Sequence, residues 1–207
     1  MDCTIRLPLR WLPAALLVLA WPVAAGGPQG FRLDPVHTRV LVALDHAGYS
    51  TALGTVSGST GLVAFDPADW SSARVDVSVP LERIDFGDED WNAAARRILG
   101  AASWPQARFI SDRVVPVDAT RAQACGTLYM HGARQPLCLD VRFNQARREP
   151  LPPFRDKAGF TATASLDRLA FGIDDWKSLV GTQVELRIEA EAVRDDAALA
   201  ELQARSP

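Results

Sequence analysis

Polar and apolar positions alternate strictly over several stretches of this chain. Across Thr182–Ala192, Val184, Leu186, Ile188 and Ala190 interleave with Gln183, Glu185, Arg187 and Glu189. Period two puts one set of side chains on a buried face and the other in water, which marks a half-buried antiparallel strand. Ala73–Val79 repeats the pattern, with Val75, Val77 and Val79 against Arg74, Asp76 and Ser78. In Arg39–His46, Val40, Val42, Leu44 and His46 share one face and Arg39, Leu41, Ala43 and Asp45 the other. Further strands are expected at 52–57, 61–66, 107–115, 123–130, 137–143 and 159–166. Turn-forming residues separate them: Gly48, Ser57-Gly58-Ser59, Asp66-Pro67, His131-Gly132 and Gly181. Segment 128–141 reads as a hairpin around His131-Gly132.

Helical spacing is clear once. Trp91, Ala94, Ala95 and Ile98 follow a capping Asp88 or Asp90 and precede Gly100, which predicts a helix over about 89–99. A second short helix is expected at 174–180. The tail 194–207 is polar or alanine-rich and reads as a frayed helix. Many short strands with one main helix give an all-β sandwich or barrel. A closed barrel of about eight strands has an interior that side chains fill or a small ligand occupies. Alternation alone does not choose between the two.

The N-terminus changes the compartment. Arg6 and Arg10 precede an apolar run from Trp11 to Trp21, and Val23 and Ala25 are small residues placed for a cut after Ala25. Basic end, apolar centre and small-residue site make residues 1–25 a cleavable secretory signal. The run is shorter than the roughly 20 apolar residues that span a bilayer. Loss of Arg6, Arg10 and Asp2 lowers the 22 basic and 25 acidic side chains to 20 and 24, a mild net charge of −4. Nucleic-acid binding needs a dense basic surface, which this balance argues against. Residues 26–193 suit one domain, with 194–207 as its tail. Cys3 leaves with the signal. Cys125 and Cys138 remain as a pair in an oxidising compartment, either as a disulfide or as two packed thiols.

Catalytic chemistry finds little footing. A nucleophilic enzyme needs a Ser or Cys beside a base, and no Gly-x-Ser-x-Gly elbow occurs. His131 near the two cysteines reads better as a turn residue. A zinc site needs three or four converging ligands, and the chain has only three histidines. His37 and His46 are an odd number of residues apart, so on one regular strand they would point to opposite faces. His46 is a candidate for a ligand head group near a barrel mouth, or a core histidine satisfied by backbone. Arg168 is a candidate for a quinone oxygen or pyrophosphate, or the partner of a neighbouring Asp.

Several segments then resemble one family. Phe31-Arg32-Leu33-Asp34-Pro35-Val36-His37-Thr38 is similar to the opening of YceI-like proteins. Gly61–Pro67 resembles the hairpin that follows. Trp104-Pro105 with Phe109-Ile110-Ser111, Gly126–Gly132, Phe160–Ala162, Leu166–Ile173 and Val180–Val184 resemble later elements in order and spacing. The resemblance implies an eight-stranded antiparallel, lipocalin-like barrel. It also implies a periplasmic protein that holds a long isoprenoid lipid or a quinone in an apolar interior, with no further cofactor. Transient membrane contact and a homodimer fit the same picture. The expected ligand-facing residues are Val40, Val42, Leu44, His46, Val75, Val77 and Phe109, followed by Leu128, Met130, Leu139, Phe160, Arg168 and Phe171. Thr38, Val42, Asp45, Asp85-Phe86-Gly87 and Trp91-Asn92 depart from the family pattern and bear on cavity length and ligand identity.

Overall fold

The computed structural model describes residues 26–205. The expected signal, 1–25, and the last two residues of the tail lie outside the described residues. The strands are β1 (Gln29–Leu33), β2 (Arg39–His46), β3 (Ser50–Ser57), β4 (Thr60–Phe65), β5 (Arg74–Pro80) and β6 (Ile84–Asp85). Helix α1 (Glu89–Ile98) separates these from β7 (Gln106–Pro116), β8 (Arg121–Met130), β9 (Ala133–Arg148), β10 (Asp156–Asp167) and β11 (Val180–Arg194). Helix α2 (Asp196–Arg205) follows.

Strand β1 pairs with β4 on one side and β11 on the other. That double pairing closes β1, β4, β5, β7, β8, β9, β10 and β11 into an eight-stranded antiparallel barrel. On the edge away from β10, strand β11 serves two neighbours. Its Ala192 to Arg194 pair with β1, while its stretch from Val180 to Glu189 pairs with β2. Strand β2 continues into β3, and β3 into the short β6. At this end the wall therefore runs past the ring as a flap. Helix α1 presents Trp91, Ala94, Ala95 and Ile98 to the space inside it.

The local chemistry explains the turns. His131 and Gly132 both have positive φ, 54° and 72°. That is the two-residue hairpin turn whose twist matches the flanking strands. It sets the β8–β9 register that places Cys125 opposite Cys138. The two are joined by a disulfide, with Cα atoms 4.0 Å apart. Helix α1 starts where Asp88 accepts the N–H of Trp91 (3.0 Å).

Two expectations need correction. Residues 175–179 form turns and not a helix, and Val180 already belongs to β11. The N–H groups of Leu179 and Val180 both donate to the carbonyl of Trp176. Trp176 itself has φ of 52°, a left-handed conformation that stops a helix from propagating. The tail is helical as expected, but α2 is docked and not frayed. Ala198 and Leu202 of α2 are buried against Leu62 and Ala64 on the outside of β4. This approach depends on Gly30, where a Cβ would stand 2.6 Å from the backbone nitrogen of Leu199. Arg205 ties the far end of α2 to Asp76 of β5 (3.1 Å), which also accepts two 2.8 Å bonds from Arg108. Arg108 is the main reason the Asp76 carboxyl lies below its ordinary pKa.

Candidate functional site

The barrel interior is divided across its length. The half nearest the β2–β3 flap encloses a cavity of about 460 Å³. Strand β2 contributes Val40, Val42, Leu44 and His46, and β5 contributes Val77 and Val79. Ala107 and Phe109 come from β7, Leu128 and Met130 from β8, Leu137 and Leu139 from β9. Val184, Leu186 and Ile188 of β11 and the apolar side of α1 complete the wall. These are the inward positions of the period-two pattern. The polar residues on the lining are Asp45, His46, Asp90, Arg168 and Asp175. They come from the end of β2, the first turn of α1, and the segment between β10 and β11. The deep walls are apolar.

The other half of the barrel is filled. The ring of Phe65 lies 5.0 Å from those of Trp70 and Phe143 and 5.2 Å from that of Phe160. The T-shaped contacts of Phe65 with Trp70 and Phe160 are favoured arrangements for aromatic pairs. Phe31, Leu33 and Val63 belong to the same buried core. Cavity and packed core, the two alternatives open from the sequence, each describe one half of the interior.

Most expected site residues reach the cavity: Val40, Val42, Leu44, His46, Val77, Phe109, Leu128, Met130, Leu139 and Arg168. Val75, Phe160 and Phe171 do not. Val75 is one inward position beyond Val77 and packs against the buried core without lining the cavity. Phe160 belongs to the aromatic cluster. Phe171 is buried in a short helical turn, where its carbonyl accepts from Nδ1 of His131 (2.9 Å).

Arg168 lines the cavity but is not the partner of a neighbouring Asp. Its guanidinium donates to the carbonyls of Ile173 (2.6 Å), Asp175, Val180 and Gly181 (2.9 Å each). No carboxylate pairs with it among the described residues. It holds the loop at the cavity rim in shape. His46 is different. Its ring lies tilted against that of Trp91, with centroids 5.1 Å apart, and makes no hydrogen bond among the described residues, so its nitrogens are open to a ligand or to water.

Sequence reasoning missed part of the lining. Val184, Leu186 and Ile188 stood on the inward face of the plainest alternation, and that pattern could have included them. Leu81, Ile84 and Phe86 lie in an irregular segment with no period to reveal them. Asn92 fastens this segment to α1, accepting from the N–H of Phe86 (2.6 Å) and donating to Asp85 (3.0 Å). The hydrogen bonds from Gly87 and Asn92 hold the Asp85 carboxyl below its ordinary pKa.

A polar cluster lies outside the cavity. Asp34, His37 and Glu191 present donor atoms within 4.8 Å of one another, a grouping of metal-ligand type. His37 sits in the turn before β2, not on the strand. The ammonium of Lys157 stands among these carboxylates, 3.4 Å from Asp34, 3.1 Å from Glu191 and 2.7 Å from Glu149. The cluster thus carries its own cation. Burial pushes the Asp34 carboxyl up, but its bonds from His37, the N–H of Val36 and Lys157 outweigh that and hold it at about 2.

Residues 31–192 match the sequence model of the YceI-like domain. The chain belongs to the YceI-like family. A UPF0312 protein of Pseudomonas savastanoi is 31% identical over 80 residues, which is 39% of this chain. The match spans only 41% of that relative's length. Among solved structures, BcnA of Burkholderia cenocepacia superposes with a TM-score of 0.68 at 19% identity, covering 77% of this chain and 98% of its own. A polyisoprenoid binding domain from Saccharophagus degradans gives 0.58 at 13% identity, covering 81% and 99%. Both likenesses are to the fold. Within the YceI-like barrel seen here, the departures at Phe86 and Trp91 fall on the cavity lining.

Proposed function

We propose that this YceI-like protein binds a long-chain isoprenoid lipid, a polyprenyl lipid or a ubiquinone, in the open half of its barrel. It carries this ligand chemically unchanged through the bacterial periplasm. The observation that carries the reading is the cavity itself: deep walls of Val, Leu, Ile and Phe with polar groups only at the rim. A prenyl chain has no hydrogen-bonding groups, so apolar walls and length are all that its site requires. Each CH₂ removed from water contributes about 0.8 kcal/mol. The head group of a chain that just fills the cavity stands at the rim, within reach of His46, and that of a longer chain lies beyond it. Acid–base or nucleophilic catalysis needs converging polar groups, and the deep walls offer none. The secretory pattern of residues 1–25 supports the periplasm, and the ligand named for the Saccharophagus degradans domain supports the lipid class.

The test is organic extraction of protein purified from its native host, followed by mass spectrometry. A prenyl lipid or quinone in stoichiometric amount is expected. Repeated recovery of lipid-free protein that also takes up no added polyprenol or quinone contradicts the reading.

A further inference from the structure

We propose that the aromatic cluster of Phe65, Trp70, Phe143 and Phe160 is a chain-length stop that lets the barrel bury only the tail end of a long isoprenoid. The proposal rests on the isoprenoid reading and adds a specificity to it.

The boundary between cavity and cluster falls at a consistent level around the barrel. On β9, Leu139 lines the cavity and Phe143, two inward positions on, belongs to the cluster. On β10, Leu166 lines the cavity and Phe160 lies in the cluster. Phe143 and Phe160 are paired directly across these strands, with ring centroids 5.7 Å apart. On the cluster's side of the cavity-lining positions the strands carry small residues: Ala122 on β8, Ala158 on β10 and Ala192 on β11 are buried. A bore with small walls continues beyond the cavity, and four large rings occupy it. The Nε1–H of Trp70 is buried there with no acceptor among the described residues.

The depth left open can be set against a chain. Val40 to His46 spans six residue steps of about 3.3 Å, so the open length is roughly 20 Å along the strand and roughly 15 Å along the barrel axis. At about 1.25 Å of rise per carbon–carbon bond, that depth takes about three to four isoprene units. The rest of a longer chain stays outside and adds no burial. Affinity therefore rises with chain length and then levels off.

The experiment measures binding of farnesol, geranylgeraniol and solanesol to the delipidated, signal-free chain by displacement of a fluorescent fatty acid. For the unmodified protein, geranylgeraniol is expected to bind ~10-fold or more tighter than farnesol, and solanesol within about 3-fold of geranylgeraniol. Replacing Phe143→Leu and Phe160→Leu together lowers the stop, and solanesol then gains ~10-fold over geranylgeraniol. Leu139→Phe fills space above the stop without disturbing the packed half, and it brings geranylgeraniol down toward farnesol. This second variant decides the matter if the first does not fold. The proposal is overturned if solanesol already binds the unmodified protein ~10-fold tighter than geranylgeraniol, or if a folded variant leaves the ratios unchanged. Failure of all three alcohols to bind removes the isoprenoid reading itself, an outcome distinct from binding without a length limit.

Discussion

Arg168 and Ile173 are joined by a 2.6 Å hydrogen bond from guanidinium to backbone carbonyl. Three more carbonyls, of Asp175, Val180 and Gly181, complete the set around the same guanidinium. The planar fork reaches all of them at once, which the single ammonium of a lysine does not. Arg168→Lys is therefore expected to destabilise the protein by about 3 kcal/mol, because buried carbonyls lose charge-assisted donors. Urea unfolding measures this. An unchanged midpoint accompanied by lost ligand affinity would return Arg168 to the role of a head-group ligand.

Cys125 and Cys138 close a loop with a sequence separation of 13 on the outside of the barrel. A loop near that size restricts the unfolded chain by about 3 kcal/mol in the chain-entropy account. The Cys125→Ala, Cys138→Ala pair should lose about 2–3 kcal/mol in urea while keeping its far-ultraviolet circular dichroism. The β8–β9 hydrogen bonds and the turn at His131-Gly132 are untouched, and the cavity lies on the opposite face, so prenol affinity should not change.

The fold was legible where one force dominated. Val184, Leu186 and Ile188 announce β11 because a half-buried strand must alternate, and Trp91, Ala94, Ala95 and Ile98 announce α1 for the corresponding helical reason. Distant partners hid the rest. Docking of α2 depends on the missing side chain of Gly30, far away in sequence. Trp176 takes a left-handed conformation that its residue type does not advertise. Val75 and Val77 are identical residues on one face of one strand, yet only Val77 meets the cavity. Rings contributed by other segments set that boundary, so no local pattern on β5 carries it.

Asp34 gives the stability a specific acid limb. Its folded carboxyl sits at about 2, below the ordinary 3.8, because donors from His37, Val36 and Lys157 outweigh burial. A group with a depressed folded pKa stabilises fully above its unfolded value, and the stabilisation is lost as pH falls through the folded value. The window is therefore roughly pH 4 down to 2, and the effect about 2 kcal/mol. Urea midpoints across that range should fall more steeply for the unmodified protein than for Asp34→Asn. Parallel curves contradict the assignment.

Arg97 of α1 reaches across the cavity rim to the 174–179 loop. Its guanidinium carbon lies 5.8 Å from the ring centroid of Trp176, and its Nη1 is 3.4 Å from Asp175. Both contacts are exposed and weak in stability terms, yet they join two walls of the mouth. Arg97→Gln should raise the dissociation rate of bound geranylgeraniol about 2–5-fold. The urea midpoint should stay nearly constant. Stopped-flow transfer of the prenol to acceptor vesicles measures the rate, and an unchanged rate removes Arg97 from the mouth's resistance to exchange.

The central claim is that an isoprenoid chain lies inside the open half of the barrel. Photo-crosslinking with a diazirine-bearing farnesol, followed by peptide mapping, tests this most directly. The account predicts label on the inward positions of β2, β7, β8 and β11, around Val42, Phe109, Leu128 and Leu186, competed away by unlabelled geranylgeraniol. Label confined to the outer wall, or label that geranylgeraniol does not displace, contradicts it.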